Sequence, residues 1–108
     1  MKKDVSKELN IIKKAILNAV PALKIYFFGS YAYGKPKEDS DIDIYVVIPD
    51  DYNECLTNMI GKTIENLNYE NMPLIDLFFV NESKFIKRKE LFTFEKTIVN
   101  KGELIYGN

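Results

Sequence analysis

The sequence predicts an α+β (α/β) fold, a small mixed β-sheet with helices packed on it. Three observations carry this. Apolar residues recur at helical spacing in three longer segments. Three short segments rich in β-branched and aromatic residues lie among them. The order reads helix, strand, strand, helix, strand, helix, without the strict alternation of an all-parallel sheet.

The first segment, from about Asp4 to Val20, places Val5, Leu9, Ile12, Ile16 and Ala19 three and four residues apart, with lysines and Asn10 on the other face. That is an amphipathic helix. Asp4 or Ser6 is the candidate cap at its start, and Pro21 ends it. Leu23 to Phe28 is short, β-rich and stopped by Gly29, which reads as a strand. Gly29 to Gly34 has room for one helical turn, and Lys35 to Ser40 is a polar loop. Asp41 to Ile48 is the second strand, broken by Pro49-Asp50-Asp51. Tyr52 to Leu67 carries Leu56, Met59, Ile60, Thr63, Ile64 and Leu67 at helical spacing. Leu74 to Val80 is the third strand. Ser83 to Asn100 suggests a final helix with less regular phasing, stopped by Gly102. Glu103 to Tyr106 adds a short extended tail.

Size and composition bound the function. A chain of 108 residues, 46% of them hydrophobic, fits one domain with a packed core. With 15 basic and 16 acidic residues the net charge is -1, so bulk nucleic-acid binding is not expected. The chain has no histidine, which removes serine–histidine triads, histidine zinc sites and histidine bases. Acid–base and metal chemistry therefore falls to carboxylates, lysine or tyrosine. Cys55 is the single cysteine; it fits a reducing cytoplasm and is expected to be a small buried or half-buried side chain. Lys2 and Lys3 precede a charged amphipathic stretch rather than an apolar one, so neither a secretory signal nor a membrane span is expected.

Asp41-Ile42-Asp43-Ile44-Tyr45-Val46-Val47-Ile48 alternates. Asp41, Asp43, Tyr45 and Val47 share one face, and the four other residues share the opposite one. The two carboxylates then lie ~6.6 Å apart at Cα. Such a pair repels itself unless a cation intervenes. Aspartate is also a poor strand former. Mg²⁺ suits the pair, because it takes oxygen ligands and binds through one or two carboxylates plus substrate phosphates. Asp76 is the one charge in Leu74–Val80, expensive there unless paired or metal-bound. If its strand pairs with Asp41–Ile48, three carboxylates meet, enough for two metals. Taken singly, each has a bland reading: a solvated pair at a strand edge, and an edge aspartate facing water. Gly29-Ser30 after the first strand likewise reads alone as a turn, or as a place where a phosphate meets main-chain N–H groups and the Ser30 hydroxyl. Lys35 and Lys37 follow within reach as mobile charges.

Among lesser features, Lys84, Lys87, Arg88 and Lys89 form a basic cluster expected to be a solvated helix face. Phe92 and Phe94 are expected in the core. Tyr31 and Tyr33 either pack on a nucleotide or on the sheet.

Together these features are far more specific. Gly29-Ser30, Gly34, Ser40, Asp41-x-Asp43 and the lone Asp76 resemble the DNA polymerase β-type nucleotidyltransferase superfamily and, within it, the minimal nucleotidyltransferase branch. The likeness spans nearly the whole chain, so 1–108 is expected to be a single minimal nucleotidyltransferase domain without the added domain of larger relatives. The resemblance implies that Gly29 and Ser30 bind the triphosphate, with Lys35 and Ser40 beside them. It implies that Asp41 and Asp43 bind two Mg²⁺ ions, and that Asp76 completes the second metal site and helps deprotonate the attacking hydroxyl. Tyr33 departs from the arginine of many relatives, so a cationic phosphate contact is missing or comes from Lys35. The implied reaction transfers AMP from ATP to a hydroxyl. Minimal members are often antitoxins that modify a tyrosine of a HEPN-type toxin, which makes such a toxin the expected partner. Two other readings stay open: an antitoxin acting by contact alone, and a nucleotide sensor. The sequence leaves a homo-oligomer open as well.

Overall fold

A computed structural model describes residues 5–66 and 73–108. Its helices and strands follow the expected order with one split and one addition. They are α1 (Ser6–Ala19), β1 (Lys24–Phe28), α2 (Gly29–Ala32), β2 (Ile42–Ile48), α3 (Glu54–Glu65), β3 (Ile75–Asn81), α4 (Glu82–Leu91), α5 (Thr93–Lys101) and β4 (Glu103–Tyr106). The expected single C-terminal helix is two, parted at Phe92, whose backbone is extended. The expected tail is a fourth strand. Val5 holds the cap position of α1; Asp4 and Leu67 lie outside the described residues.

The sheet is mixed, in the order β3-β2-β1-β4. β2 runs antiparallel to β1 and parallel to β3, and β4 pairs antiparallel with β1. Alternation along β2 works as the sequence predicts, because both faces are covered. Ile42, Ile44, Val46 and Ile48 join Ile12 and Ile16 of α1 and Ile64 of α3 in one core. Tyr45 and Val47 join Tyr26, Phe28, Phe85 and Ile98 in a second core under α4 and α5.

Two glycines sit at close approaches. A Cβ on Gly61 would meet the Phe79 ring at 2.9 Å, so a larger residue there would make that ring shift where α3 lies on β3. The inner row of α3 is thus Thr57, Gly61 and Ile64, and it leaves Leu56 and Met59 of the expected apolar stripe exposed. A Cβ on Gly102 would meet the Ile98 carbonyl oxygen at 2.5 Å and that of Phe27 at 3.1 Å, which places the end of α5 directly against β1. Cys55, expected to be at least half buried, is exposed because it starts the outer side of α3. No described helix is long and apolar enough to cross a membrane.

Candidate active site

The site forms at one end of the sheet. β1 ends there, β2 and β3 begin there, and the Gly29-Ser30 turn closes it. Parallel pairing sets Asp43 directly beside Asp76. Antiparallel pairing sets Phe28 on the other side of Asp43. Asp76 is thus the second residue of β3. The sequence had put it mid-strand, where the charge would be costly; at the sheet end it reaches water. Asp41 precedes β2 rather than lying within it. All three carboxylates are half-buried.

Burial and charge raise the proton affinity of two of them. Burial pushes the Asp43 carboxyl up to about 6, helped by the charges of Asp76 and then Asp41. Asp76 is pushed up as well, by burial first, then by Glu65 and Asp41. Asp41 thus raises the proton affinity of both Asp43 and Asp76, and Asp76 that of Asp43, the condition that a bound cation relieves.

Gly29 is fitted to this cluster. Its φ of +82° lies in the left-handed region, and an added Cβ would collide with the Asp43 carboxylate, coming within 3.0 Å of Cγ. The glycine therefore serves the turn and the approach to Asp43 at once. From Gly29 the chain enters α2 as one short turn, bounded by the Tyr33 N–H donating to the Gly29 carbonyl at 3.0 Å. Phe28 before it brings no side-chain acceptor for the first-turn amides. Ser30 is exposed and Tyr31 is buried, so of the two tyrosines Tyr31 packs into the core while Tyr33 stays outside.

The loop that follows is tied down locally. The Lys35 N–H donates to the Ser30 carbonyl at 2.9 Å. The Lys37 N–H donates to Ser40 Oγ at 2.7 Å, and the Ser40 N–H returns a bond to the Lys37 carbonyl at 3.1 Å. The Ser40 hydroxyl thus closes the turn that delivers Asp41. The Lys35 side chain is exposed.

The donor set suits Mg²⁺ in kind: hard carboxylate oxygens at a solvent-facing edge, with the proton affinity of Asp43 and Asp76 raised in a way that a cation would reverse. Among the described residues, no three acidic side chains are gathered closely enough to hold an ion as they stand.

A family model described as a nucleotidyltransferase domain matches residues 9–104. The chain belongs to this nucleotidyltransferase family. The domain is also similar to a chain of a toxin–antitoxin complex solved with AMP-PNP, at 24% identity and a TM-score of 0.64 over 92% of this chain and 73% of that one. It is similar to a chain of the tri-AMPylated Shewanella oneidensis HEPN toxin in complex with its MNT antitoxin, at 21% identity and a TM-score of 0.56 over 92% and 69%. A third likeness is to spectinomycin adenyltransferase from Enterococcus faecialis with ATP and spectinomycin, at 20% identity and 0.59 over 96% and 55%. Identities this low establish the shared fold. Among proteins of curated function none matches the chain.

Two acidic residues of this nucleotidyltransferase domain escaped the sequence reading. Glu65, the last residue of α3, accepts the Leu77 N–H at 2.9 Å. β3 is an edge strand, so this bond occupies an amide beside Asp76. Glu95, 1% exposed, accepts the Tyr45 hydroxyl at 2.8 Å and Arg88 Nε at 2.7 Å, both at Oε2. Burial and then Glu95 push the Tyr45 hydroxyl well above the usual tyrosine range. Neither glutamate stands out in sequence, since each is an ordinary polar position in an amphipathic helix. Phe94, expected in the core, is 42% exposed and Phe92 47%. The Phe92 break turns the start of α5 outward, and Phe94 lies against Phe28 and Phe78 at the sheet end.

Proposed function

We propose that this chain, acting in the cytoplasm as one domain, is a Mg²⁺-dependent nucleotidyltransferase that moves AMP from ATP to a hydroxyl, a tyrosine of a HEPN-type toxin partner. The observation that carries it is the in-register Asp43–Asp76 pair, lying against a glycine whose backbone has no room for a Cβ. Asp41, Asp43 and Asp76 would hold the metal, which supplies charge neutralisation at the phosphates. Ser30 and the first-turn amides of α2 would receive the outer phosphates, with Lys35 as a mobile cation. Ser40 acts through the loop it closes, by fixing the entry of Asp41.

In the reaction the acceptor oxygen attacks the α-phosphorus. The bond from that phosphorus to the bridging oxygen breaks, and pyrophosphate leaves. The hydroxyl proton passes to Asp76, whose proton affinity burial and its acidic neighbours have raised. The rest of catalysis is positioning and electrostatics. The acceptor assignment rests on the family and on fold likeness to the two toxin–antitoxin complexes.

The test is transfer of label from ATP labelled at the α-phosphate to a HEPN-type protein expressed with this chain. Label requires Mg²⁺ and disappears in the Asp41→Asn, Asp43→Asn double variant. Label that persists in that variant overturns the assignment. A variant that no longer labels yet still suppresses toxicity shows an antitoxin that works by contact.

A further inference from the structure

One cavity next to the aspartates has no role in the chemistry above. It holds about 260 Å³, and Tyr45, Phe78, Lys84, Arg88, Phe94 and Glu95 are among the residues that line it. It begins one side-chain position down the sheet from the site. Tyr45 follows Asp43 on the same face of β2, and Phe78 follows Asp76 on the same face of β3, each step ~6.6 Å. The walls are aromatic and partly open. Phe78 and Phe94 have centroids 5.6 Å apart, tilted at 64°, and are 36% and 42% exposed. The Glu95 carboxylate has one oxygen committed to Tyr45 and Arg88. Its other oxygen, Oε1, is buried with no hydrogen-bond partner. A buried carboxylate oxygen without a donor is costly, and it marks a place for an N–H or O–H.

We infer that this cavity receives the amino-bearing base of the nucleotide, stacked on Phe94 with its N–H groups directed to Glu95. The inference rests on the nucleotidyl-transfer reading and names the base subsite of that site. Size supports it: the volume falls short of the ~300 Å³ at which drug-sized pockets begin, so it suits one ring system rather than a whole nucleotide. Direction supports it too. Gly29-Ser30 lies beyond the sheet end, so triphosphate and base would extend to opposite sides of the aspartates. A phenol acceptor does not fit the same role. Its hydroxyl must face the aspartates and so cannot donate to Glu95.

The test is calorimetry on the full chain with Mg²⁺ and four probes: ATP, ITP, CTP and inorganic tripolyphosphate. The wild type is expected to bind ATP about tenfold more tightly than tripolyphosphate, the size of effect a stacked base contributes. ITP, which keeps the stacking ring but has a carbonyl in place of the amino group, is expected to fall between ATP and tripolyphosphate, as is CTP, which keeps the amino group on a smaller ring. Phe94→Ala, at an exposed position, is expected to remove most of the advantage of ATP over tripolyphosphate while leaving tripolyphosphate binding unchanged. Equal affinity for all four probes overturns the base subsite and leaves the phosphate site standing. Unchanged nucleotide binding in Phe94→Ala, with a raised KM for the protein acceptor, overturns it in favour of an acceptor contact. No binding of any probe removes both readings.

Discussion

The two faces of β2 are built to different ends. Under α1 and α3 the strand presents Ile42, Ile44, Val46 and Ile48, each at most 1% exposed, in an unbroken apolar core. Under α4 and α5 it presents Asp43, then Tyr45 hydrogen-bonded to a buried glutamate, then Val47. A strand buried on both faces can thus place its stability on one and its chemistry on the other. The second face carries a cost that the first does not: it holds Asp43 and Asp76, whose proton affinity is raised by burial and by neighbouring acidic groups.

This contrast can be broken where it should be strongest. Ile44→Ala deletes a fully buried side chain from the apolar face, and denaturant melts should show a loss of about 3 kcal/mol with nucleotide affinity kept in the folded fraction. A loss under 1 kcal/mol would mean that this face is not where stability resides. Next in size is Gly29→Ala, which forces alanine to a φ of +82° against Asp43. It should cost roughly 1–3 kcal/mol and weaken tripolyphosphate binding.

The pH dependence sharpens the other side. Asp43 rises from 3.8 to about 6 in the fold, so its contribution to stability is full below its unfolded value and is lost as pH rises through about 6. The rise corresponds to at most roughly 3 kcal/mol, and to about 1–2 kcal/mol after solvent screening. In EDTA, the stability gap between wild type and Asp43→Asn should therefore close as pH falls from 7 to 4. The smallest effect concerns Glu65. Glu65→Ala should cost about 1 kcal/mol and lower kcat, whereas Glu65→Gln, which still accepts the Leu77 N–H, should restore most of the stability. Equal losses in both variants would assign the effect to charge rather than to the hydrogen bond.

What could be read from the sequence follows from how local each feature is. The alternation along β2 and the Gly29-Ser30 turn are local, and both faces and the turn stand where periodicity and glycine chemistry put them. The Asp43–Asp76 pairing joins strands far apart in the chain, so it entered only as a condition that the two strands pair, which the structure meets with a parallel register that the sequence did not specify. Phe92 parts α4 from α5 without a proline or glycine, leaving no local mark of the break. For that reason Phe94 read as core. Glu65 and Glu95 owe their roles to partners 12 and 50 residues away, Leu77 and Tyr45, and their own neighbours give no sign of them.

The most direct test of the two-face account is the melting temperature of Asp43→Asn against wild type at pH 7.5, in EDTA. If Asp43 is kept for chemistry at a cost to the fold, the variant melts several degrees higher, and added Mg²⁺ with ATP stabilises only the wild type. A variant that melts lower than wild type in EDTA would contradict the account, because Asp43 would then be a structural residue.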